Sequence, residues 1–205
     1  GIGERTAYLL SECGAHVILL ARTEDKLKAV KESIEELGGN ASYYPCDLTN
    51  MDDIEKVSTQ ILADFGHVDV LVNNAGRSIR RSVHESINRF HDFERTMQIN
   101  YFAAVRLTLA LLPHFLENGG GHVINISTMS TNVPMSSKTT IYKHMQMRDT
   151  STAAGWIVKA VQQKSYRITS TSGAIANALL NTAPATVMNL TRPLFRLMDR
   201  QLEKK

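Results

Sequence analysis

Two glycines open the sequence, at Gly1 and Gly3, and the residues after them have helical spacing. A helix N-terminus offers free backbone N–H groups and the positive end of the helix dipole, and both favour an anion. Glycines at this point let a pyrophosphate approach the backbone closely. Gly1, Ile2 and Gly3 are therefore candidate phosphate ligands, and turn glycines without a ligand are the alternative.

Arg22 is a second candidate phosphate ligand because it directly follows the apolar run His16–Ala21. An arginine at the end of such a strand suits the 2′-phosphate of an adenosine ribose, whereas an acidic residue would accept a hydrogen bond from a free 2′-hydroxyl. The alternative is an exposed arginine that has no ligand.

Alternating helices and strands would position these residues. The run His16–Ala21 (HVILLA) is almost continuously apolar, which predicts a strand buried on both faces. The further predicted strands are Ala41–Pro45, Val68–Asn73, His122–Ser127 and Tyr166–Ile168. The predicted helices are Glu4–Cys13, one capped by Thr23 that ends at Gly38, one capped by Thr49, Phe93–Leu116, Thr150–Gln163, a packed helix pair over Ala174–Leu190, and Pro193–Lys204.

This alternation predicts the fold class. Strands that alternate with helices of about ten or more residues form βαβ units, so the fold is expected to be α/β, a doubly wound parallel sheet of the Rossmann type. The sequence has no internal repeat and no low-complexity linker, so residues 1–205 are expected to form a single domain.

Composition excludes several other classes of protein. A formal net charge of +3 over 205 residues is too small and too scattered for a nucleic-acid surface. Cys13 and Cys46 cannot form a disulfide framework, which favours a cytoplasmic location, and the seven histidines lack metal-ligand spacing, so no metal site is expected. No apolar run reaches the ~20 residues that span a bilayer, so no integral membrane segment is expected.

Further motifs occur in register with these elements. Asn73-Asn74-Ala75-Gly76 (NNAG) ends the third strand, Asp47-Leu48 follows the second, and Asn100 ends the string QIN. Ile124-Asn125-Ile126-Ser127 (INIS) lies on the fourth strand. Together with the glycine motif, this pattern resembles the short-chain dehydrogenase/reductase family, strongly over residues 1–128 and more loosely after them.

The resemblance implies a nicotinamide dinucleotide cofactor, and Arg22 favours NADP(H). Gly1, Ile2 and Gly3 would then meet the pyrophosphate, and Asp47 and Leu48 would lie beside the adenine. Asn74, Ala75 and Gly76 would border the nicotinamide, and Asn100 would relay protons. The family's catalytic hydroxyl would come from the pair Ser127 and Thr128, in which Thr128 holds the matching position. Residues 1–128 would form the cofactor-binding part and 129–205 the substrate side.

Within the family, the strings RSIRRSVHES (77–86) and FHDFERTMQIN (90–100) are similar to the bacterial fatty acyl-CoA reductases. The expected function is reduction of a fatty acyl-CoA or a fatty aldehyde by hydride transfer from NADPH, in a homo-oligomer. One alternative is a reductase of another carbonyl, such as a 3-oxoacyl or steroid-like ketone. The other is a dinucleotide-binding module without catalytic activity.

The second alternative depends on a missing motif. The family's proton donor is a tyrosine with a lysine four residues later, and no tyrosine here has one: Gln146 follows Tyr142 at that spacing, and Ser170 follows Tyr166. In the family a strand-helix-strand unit of roughly 30 residues or more separates the INIS strand from the loop at Pro134. We therefore expect a longer polypeptide that has this unit, and also a central strand ahead of Gly1, beside Val17–Ala21.

Overall fold

The computed structural model describes residues 1–79, 84–127 and 149–164, together with Ala174 and Ala178. The described elements, in chain order, are α1 (Ile2–Glu12), β1 (His16–Ala21), α2 (Glu24–Glu36), β2 (Asn40–Pro45), α3 (Met51–Phe65), β3 (Val70–Asn73), a short 3₁₀ helix (His84–Ser86), α4 (Phe90–Met97), a π-helical segment (Gln98–Phe102), α5 (Ala103–Glu117), β4 (His122–Asn125) and α6 (Thr150–Gln163).

The described strands form two parallel pairs. In the first, β1 pairs with β2, and Val17 lies opposite Ala41. In the second, β3 pairs with β4, and Asn73 lies opposite Asn125. Each pair is joined by a crossover that contains helix, as a parallel connection requires. The predicted α/β class with helices between parallel strands is therefore confirmed.

Apolar side chains on the two faces of β1 enter two different cores. Val17 and Leu19 pack with Ala7 of α1 and Ile34 of α2. Leu20 packs on the other face, in a cluster whose buried members are Cys46, Leu48, Ile54, Ala103 and Leu107. Because successive residues of a strand point to opposite faces, helices cover the first pair of strands on both sides.

Among the described residues, the edge of β1 opposite β2 has no strand partner. A cavity of about 950 Å³ lies there, and both β1 and β3 line it. The central strand expected ahead of Gly1 stays a prediction. The prediction that His16–Ala21 is buried on both faces is wrong: its two end residues are exposed and the other four are only half-buried, because one edge of the strand faces the cavity.

The N-cap of α3 differs from the predicted one. Asn50, not Thr49, caps α3, because its side-chain oxygen accepts hydrogen bonds from the backbone N–H groups of Asp52 and Asp53. Thr49 instead donates to the carboxylate of Asp47. Thr23 stands at the N-cap of α2 as predicted, but its side chain makes no capping hydrogen bond.

The long helix predicted over Phe93–Leu116 is interrupted by the π-helical segment between α4 and α5. Its inner face buries Ala103, Leu107, Leu111 and Phe115. Its outer face leaves large apolar side chains exposed, among them Phe90, Phe93, Tyr101, Leu109 and Leu116. By length and composition alone, Phe90–Glu117 is long and apolar enough to cross a membrane, a test that sheet-covering helices also pass.

The chain divides into two compact units. The first comprises Gly1–Ile79, Arg89–Ile126 and Asp149–Tyr166, and holds all the described strands. The second comprises residues 80–88, 127–148 and 167–205, of which the 3₁₀ helix is the described element. The strand predicted at Tyr166–Ile168, the helices predicted over Ala174–Leu190 and Pro193–Lys204, and the junction from Thr128 to Pro134 lie outside the described residues.

Candidate functional site

The start of α1 lies against the loop that follows β3. A methyl group built on Gly3 would lie 2.6 Å from Nδ2 of Asn74, too close for any real side chain. Gly1 has open space at the same position. The structure therefore brings Gly3 of the glycine motif and Asn74 of the NNAG motif together, and a side chain at Gly3 would force the Asn74 amide to shift.

The turn after β2 holds an ionised carboxylate. Oδ1 of Asp47 accepts hydrogen bonds from the backbone N–H of Thr49 at 2.9 Å and from its hydroxyl at 2.8 Å. These two bonds, and then the positive charge of Arg22, lower the pKa of the Asp47 carboxyl, although its partial burial opposes them. Arg22 and Asp47 therefore lie near each other at the ends of β1 and β2.

Arg22 and Leu48 differ in exposure. Arg22 is exposed, and its side chain has no hydrogen-bond partner among residues 1–79, 84–127 and 149–164, so the guanidinium is available to a phosphate. Leu48 is buried in the core cluster, where its side chain anchors the turn and leaves only its backbone for a ligand.

Asn100 fixes the loop that carries Ala75 and Gly76. Its Oδ1 accepts a hydrogen bond from the backbone N–H of Arg77 at 2.8 Å, and its Nδ2 donates to the Arg77 carbonyl at 2.9 Å. A methyl group on Gly76 would lie 3.2 Å from Asn100 Oδ1, so this approach also favours glycine. The amide of Asn100 thus positions a loop, and its predicted role in proton relay stays a prediction.

The π-helical segment explains how one stretch of helix reaches two loops. A π-helical segment inserts an extra residue into a helix and is frequent at functional sites. Within it, Gln98 donates to the Thr49 carbonyl at 3.1 Å, while Asn100 holds Arg77. The loops after β2 and β3 are therefore tied to the same segment.

A further polar contact, not expected from the sequence, joins the ends of β3 and β4. Nδ2 of Asn73 donates to Oδ1 of Asn125 at 2.9 Å, and Oγ1 of Thr108 lies 3.4 Å from the same nitrogen. Asn73 and Asn125 are the last residues of paired strands. The available signal was an asparagine at the end of one predicted strand, Asn73, and another within a second predicted strand, Asn125.

The predicted catalytic hydroxyls, Ser127 and Thr128, stay a prediction. Ser127 is exposed and belongs to the second compact unit. Thr128 lies outside the described residues. In the part of the chain that the structure describes, no group of three or more His, Cys, Asp or Glu residues could hold a metal ion, and the expectation of no metal stays a prediction.

Comparison with solved structures supports the fold. A metagenomic short-chain oxidoreductase in complex with NADP is 31% identical, with a TM-score of 0.63, over 80% of this chain and 69% of that one. A short-chain dehydrogenase from Streptomyces avermitilis matches over 96% of this chain and 94% of that one with a TM-score of 0.75. Its identity of 20% makes it evidence for the fold alone.

Two relatives carry the same name. A fatty acyl-CoA reductase of Acinetobacter baylyi is 41% identical over 90% of this chain and 77% of its own length. A fatty acyl-CoA reductase of Mycobacterium tuberculosis is 44% identical over 62% of this chain and 44% of its own length. The alignment with the Acinetobacter protein covers 227 residues, more than the whole 205-residue chain, so it includes positions that this chain lacks.

The family model described as short chain dehydrogenase matches residues 1–143, well over half of the chain. The match includes the glycine motif, the turn at Asp47, the NNAG motif and Asn100, whose contacts join them into one site. The chain therefore belongs to the short-chain dehydrogenase family of oxidoreductases, which use NAD(P) as cofactor.

Proposed function

We propose that this protein is an NADPH-dependent reductase that acts on a long-chain acyl-CoA or on the aldehyde derived from it. The observation that carries the substrate class is 41% identity to a fatty acyl-CoA reductase over 90% of the chain. The mycobacterial fatty acyl-CoA reductase, at 44% identity over a shorter span, supports the same class.

The described residues fit the cofactor. The N-terminus of α1 offers free N–H groups, and Gly3 leaves room there for the amide of Asn74. Arg22 provides an exposed guanidinium for the 2′-phosphate, beside the ionised Asp47 on the adenine side. Asn74, Ala75 and Gly76 would border the nicotinamide, on a loop that Asn100 holds in place.

Reduction of a carbonyl needs a hydride and a proton. NADPH supplies the hydride when it is bound. The residues of this chain would orient the carbonyl through the hydroxyls of Ser127 or Thr128 and would hold the nicotinamide loop through Asn100. A tyrosine with a lysine four residues later is absent from the 205 residues, so the proposed reaction requires a proton donor that these residues do not include.

The absence of that pair favours a second candidate function, a dinucleotide-binding module without catalysis. Such a module would bind NADPH through the same residues and would reduce no carbonyl compound. Cofactor binding and cofactor oxidation therefore have to be measured separately.

The test is NADPH oxidation with butyryl-, lauroyl- and palmitoyl-CoA, with hexadecanal, and with a 3-oxoacyl thioester and a steroid ketone as competing substrates. We expect activity to rise with acyl length, because each buried methylene contributes ~0.8 kcal/mol. Activity that does not change with acyl length would contradict the lipid substrate class. It would still be consistent with a reductase of another carbonyl compound. NADPH binding without oxidation by any substrate would establish the binding module.

A further inference from the structure

Arg77 directly follows the NNAG motif, on the loop whose preceding residues would border the nicotinamide. One side chain holds both polar groups of its backbone, since Asn100 accepts from the Arg77 N–H at 2.8 Å and donates to the Arg77 carbonyl at 2.9 Å. A backbone fixed in this way has already lost much of its conformational freedom. A ligand bound by this residue therefore does not have to order the loop.

The side chain of Arg77 is not engaged in the way its backbone is. It is exposed, and its guanidinium makes no hydrogen bond or ion pair with residues 1–79, 84–127 or 149–164. Other arginines of the described chain differ, because Arg89 pairs with Asp92 and Arg106 pairs with Glu55. Arg77 therefore combines a fixed backbone with a positive charge that is available to a ligand.

The sequence around Arg77 is more basic than the chain as a whole. The segment from Arg77 to Arg95, here called the basic segment, contains five arginines and three acidic residues, which gives a net charge of +2. All 205 residues together carry a formal net charge of only +3. Charge of one sign raises the local concentration of ligands of the opposite sign. The ligand that suits Arg77 is therefore an anion.

The exposure of Arg77 indicates which kind of anion it suits. Stabilisation of the charge that develops on a reacting carbonyl is strongest in a site that excludes water, and an exposed guanidinium does not meet that condition. It suits an anion that itself stays in water, and the planar guanidinium forms paired hydrogen bonds with phosphate. The acyl-CoA of the proposed function has both parts, because its phosphates are charged and its acyl chain is apolar.

We propose that Arg77 binds the phosphate groups of the CoA part of the substrate, and that it thereby makes the protein select acyl-CoA thioesters over free aldehydes. This proposal rests on the proposed reductase function, which places the acyl thioester at the nicotinamide. It assigns Arg77, in the loop after β3, to the substrate, whereas Arg22, at the end of β1, is assigned to the cofactor. Substitutions of the two arginines should therefore weaken the binding of two different ligands.

The first test measures CoA binding by titration calorimetry in the unaltered full chain and in Arg77→Gln. NADP⁺ is kept at a saturating concentration, because the adenosine phosphates of CoA would otherwise compete for the cofactor site. Arg95→Gln is the matched control, since it removes the same charge from an exposed position of α4 in the same basic segment. NADPH affinity, measured for all three proteins, establishes that each is folded and binds its cofactor.

We expect Arg77→Gln to weaken CoA binding about fivefold to tenfold, and by less at high salt, because the pair of guanidinium and phosphate is charge-assisted but exposed. Arg95→Gln should change CoA affinity little, and neither variant should change NADPH affinity. Equal CoA affinity in the unaltered protein and in Arg77→Gln would overturn the proposal. An equal loss in Arg95→Gln would also overturn it, because the effect would then come from the net charge of the segment.

Kinetics with two substrates separates this proposal from the reductase function itself. Arg77→Gln should raise KM for lauroyl-CoA and leave both kcat and the KM for dodecanal, which has no phosphate, unchanged. A similar rise in the KM for dodecanal would overturn the assignment to phosphate. If the unaltered protein oxidises NADPH with neither substrate, the proposed function fails, whereas a loss of CoA affinity in Arg77→Gln alone would still support the CoA site.

Discussion

Arg22 is the side chain that should distinguish the two nicotinamide dinucleotides. We expect Arg22→Asp to weaken NADPH binding about tenfold to a hundredfold, because charge-assisted hydrogen bonds contribute ~1.5–3 kcal/mol, and to leave NADH binding nearly unchanged. Fluorescence titration of each cofactor measures both affinities. Lys28→Asp, the same charge change at an exposed position of α2, is the control. Equal affinities of the unaltered protein for both cofactors would contradict the assignment.

Gly3 and Gly1 form a matched pair for testing the close approach at the start of α1. Gly3→Ala places a methyl group 2.6 Å from Asn74 Nδ2, so the helix or the asparagine has to move, whereas Gly1→Ala meets open space. We expect cofactor affinity to fall at least tenfold in Gly3→Ala and to change little in Gly1→Ala. Adding Asn74→Ala to Gly3→Ala removes the clash, so a change in melting temperature caused by Gly3→Ala should be reduced in the double variant.

Cys46 makes stability depend on pH in the alkaline range. Burial raises the pKa of its thiol from 9.0 to about 11, and the charges of Asp53 and Asp47 add to the effect. A raised pKa means that the folded state keeps the proton longer than the unfolded state, so stability is complete below pH 9 and is lost as the pH rises towards 11.

We expect the free energy of unfolding to fall between pH 9 and 11 by up to about 1.4 kcal/mol per pH unit more in the unaltered protein than in Cys46→Ala. Urea unfolding at several pH values measures this difference. The comparison cancels the contribution of Tyr44, whose pKa is also raised, to about 12, by burial and by its hydrogen bond to Asp64. Parallel pH profiles of the two proteins would contradict the prediction.

At the scale of residues, motifs predicted which side chains belong to the site but not how they contact each other. The order of Gly3, Asn74 and Asn100 along the chain was sufficient to select them. The bond from Asn100 to the Arg77 backbone depends on the three-dimensional path of a loop, which local sequence does not encode. Asn73 belongs to the NNAG motif, but the hydrogen bond from its side chain to Asn125 is visible only in the structure.

The π-helical segment between α4 and α5 contacts the loops after β2 and β3 through Gln98 and Asn100. We expect Asn100→Ala to speed hydrogen exchange at the Arg77 N–H at least tenfold, because this N–H loses its acceptor at 2.8 Å. Asn100→Asp retains an acceptor oxygen and should keep most of the protection. Amide exchange measured by NMR separates the two variants. Similar exchange in both would show that the bond does not hold the loop.

Helices and strands were predicted with different success. The four described strands and the helix Thr150–Gln163 lie where apolar patterns indicated, although β3 begins and β4 ends two residues inside the predicted bounds. The π-helical segment was not predicted, because an extra residue in a helix leaves hardly any trace in apolar spacing. The N-cap of α3 was predicted at Thr49, although Thr49 and Asn50 are both favourable N-cap residues. Asn50 is the N-cap in the structure, because the hydroxyl of Thr49 donates to Asp47 instead.

At the scale of the whole molecule, the expectation of a longer polypeptide can be tested by mass mapping. Cleavage after Arg106 and Lys138 would release the peptide 107–138 if the sequence from Ser127 to Pro134 is continuous. We expect this peptide to be absent from a tryptic map of the protein isolated from its natural source, because the family resemblance predicts a strand-helix-strand unit between the INIS strand and Pro134. Detection of the peptide at its calculated mass would contradict the expectation and favour the binding module.

The α/β architecture was predictable because it depends on the alternation of helices and strands along the chain and not on individual side-chain contacts. Parallel pairs of strands joined by helices follow from the order of elements along the chain. Half-burial of β1 did not follow from its apolar composition, because composition indicates what a strand can bury and not whether a neighbour is present to bury it. Whether residues 1–205 form one domain stays a prediction.

The outer face of α4 and α5 also has a consequence for the behaviour of the protein as a colloid. Phe90, Leu109 and Leu116 are 71%, 55% and 72% exposed on the same stretch of helix. Contiguous apolar surface favours contact between molecules over contact with water. With a net charge of only +3 to oppose it, the interaction between dissolved molecules is expected to be net attractive, and it becomes stronger in salts that salt proteins out.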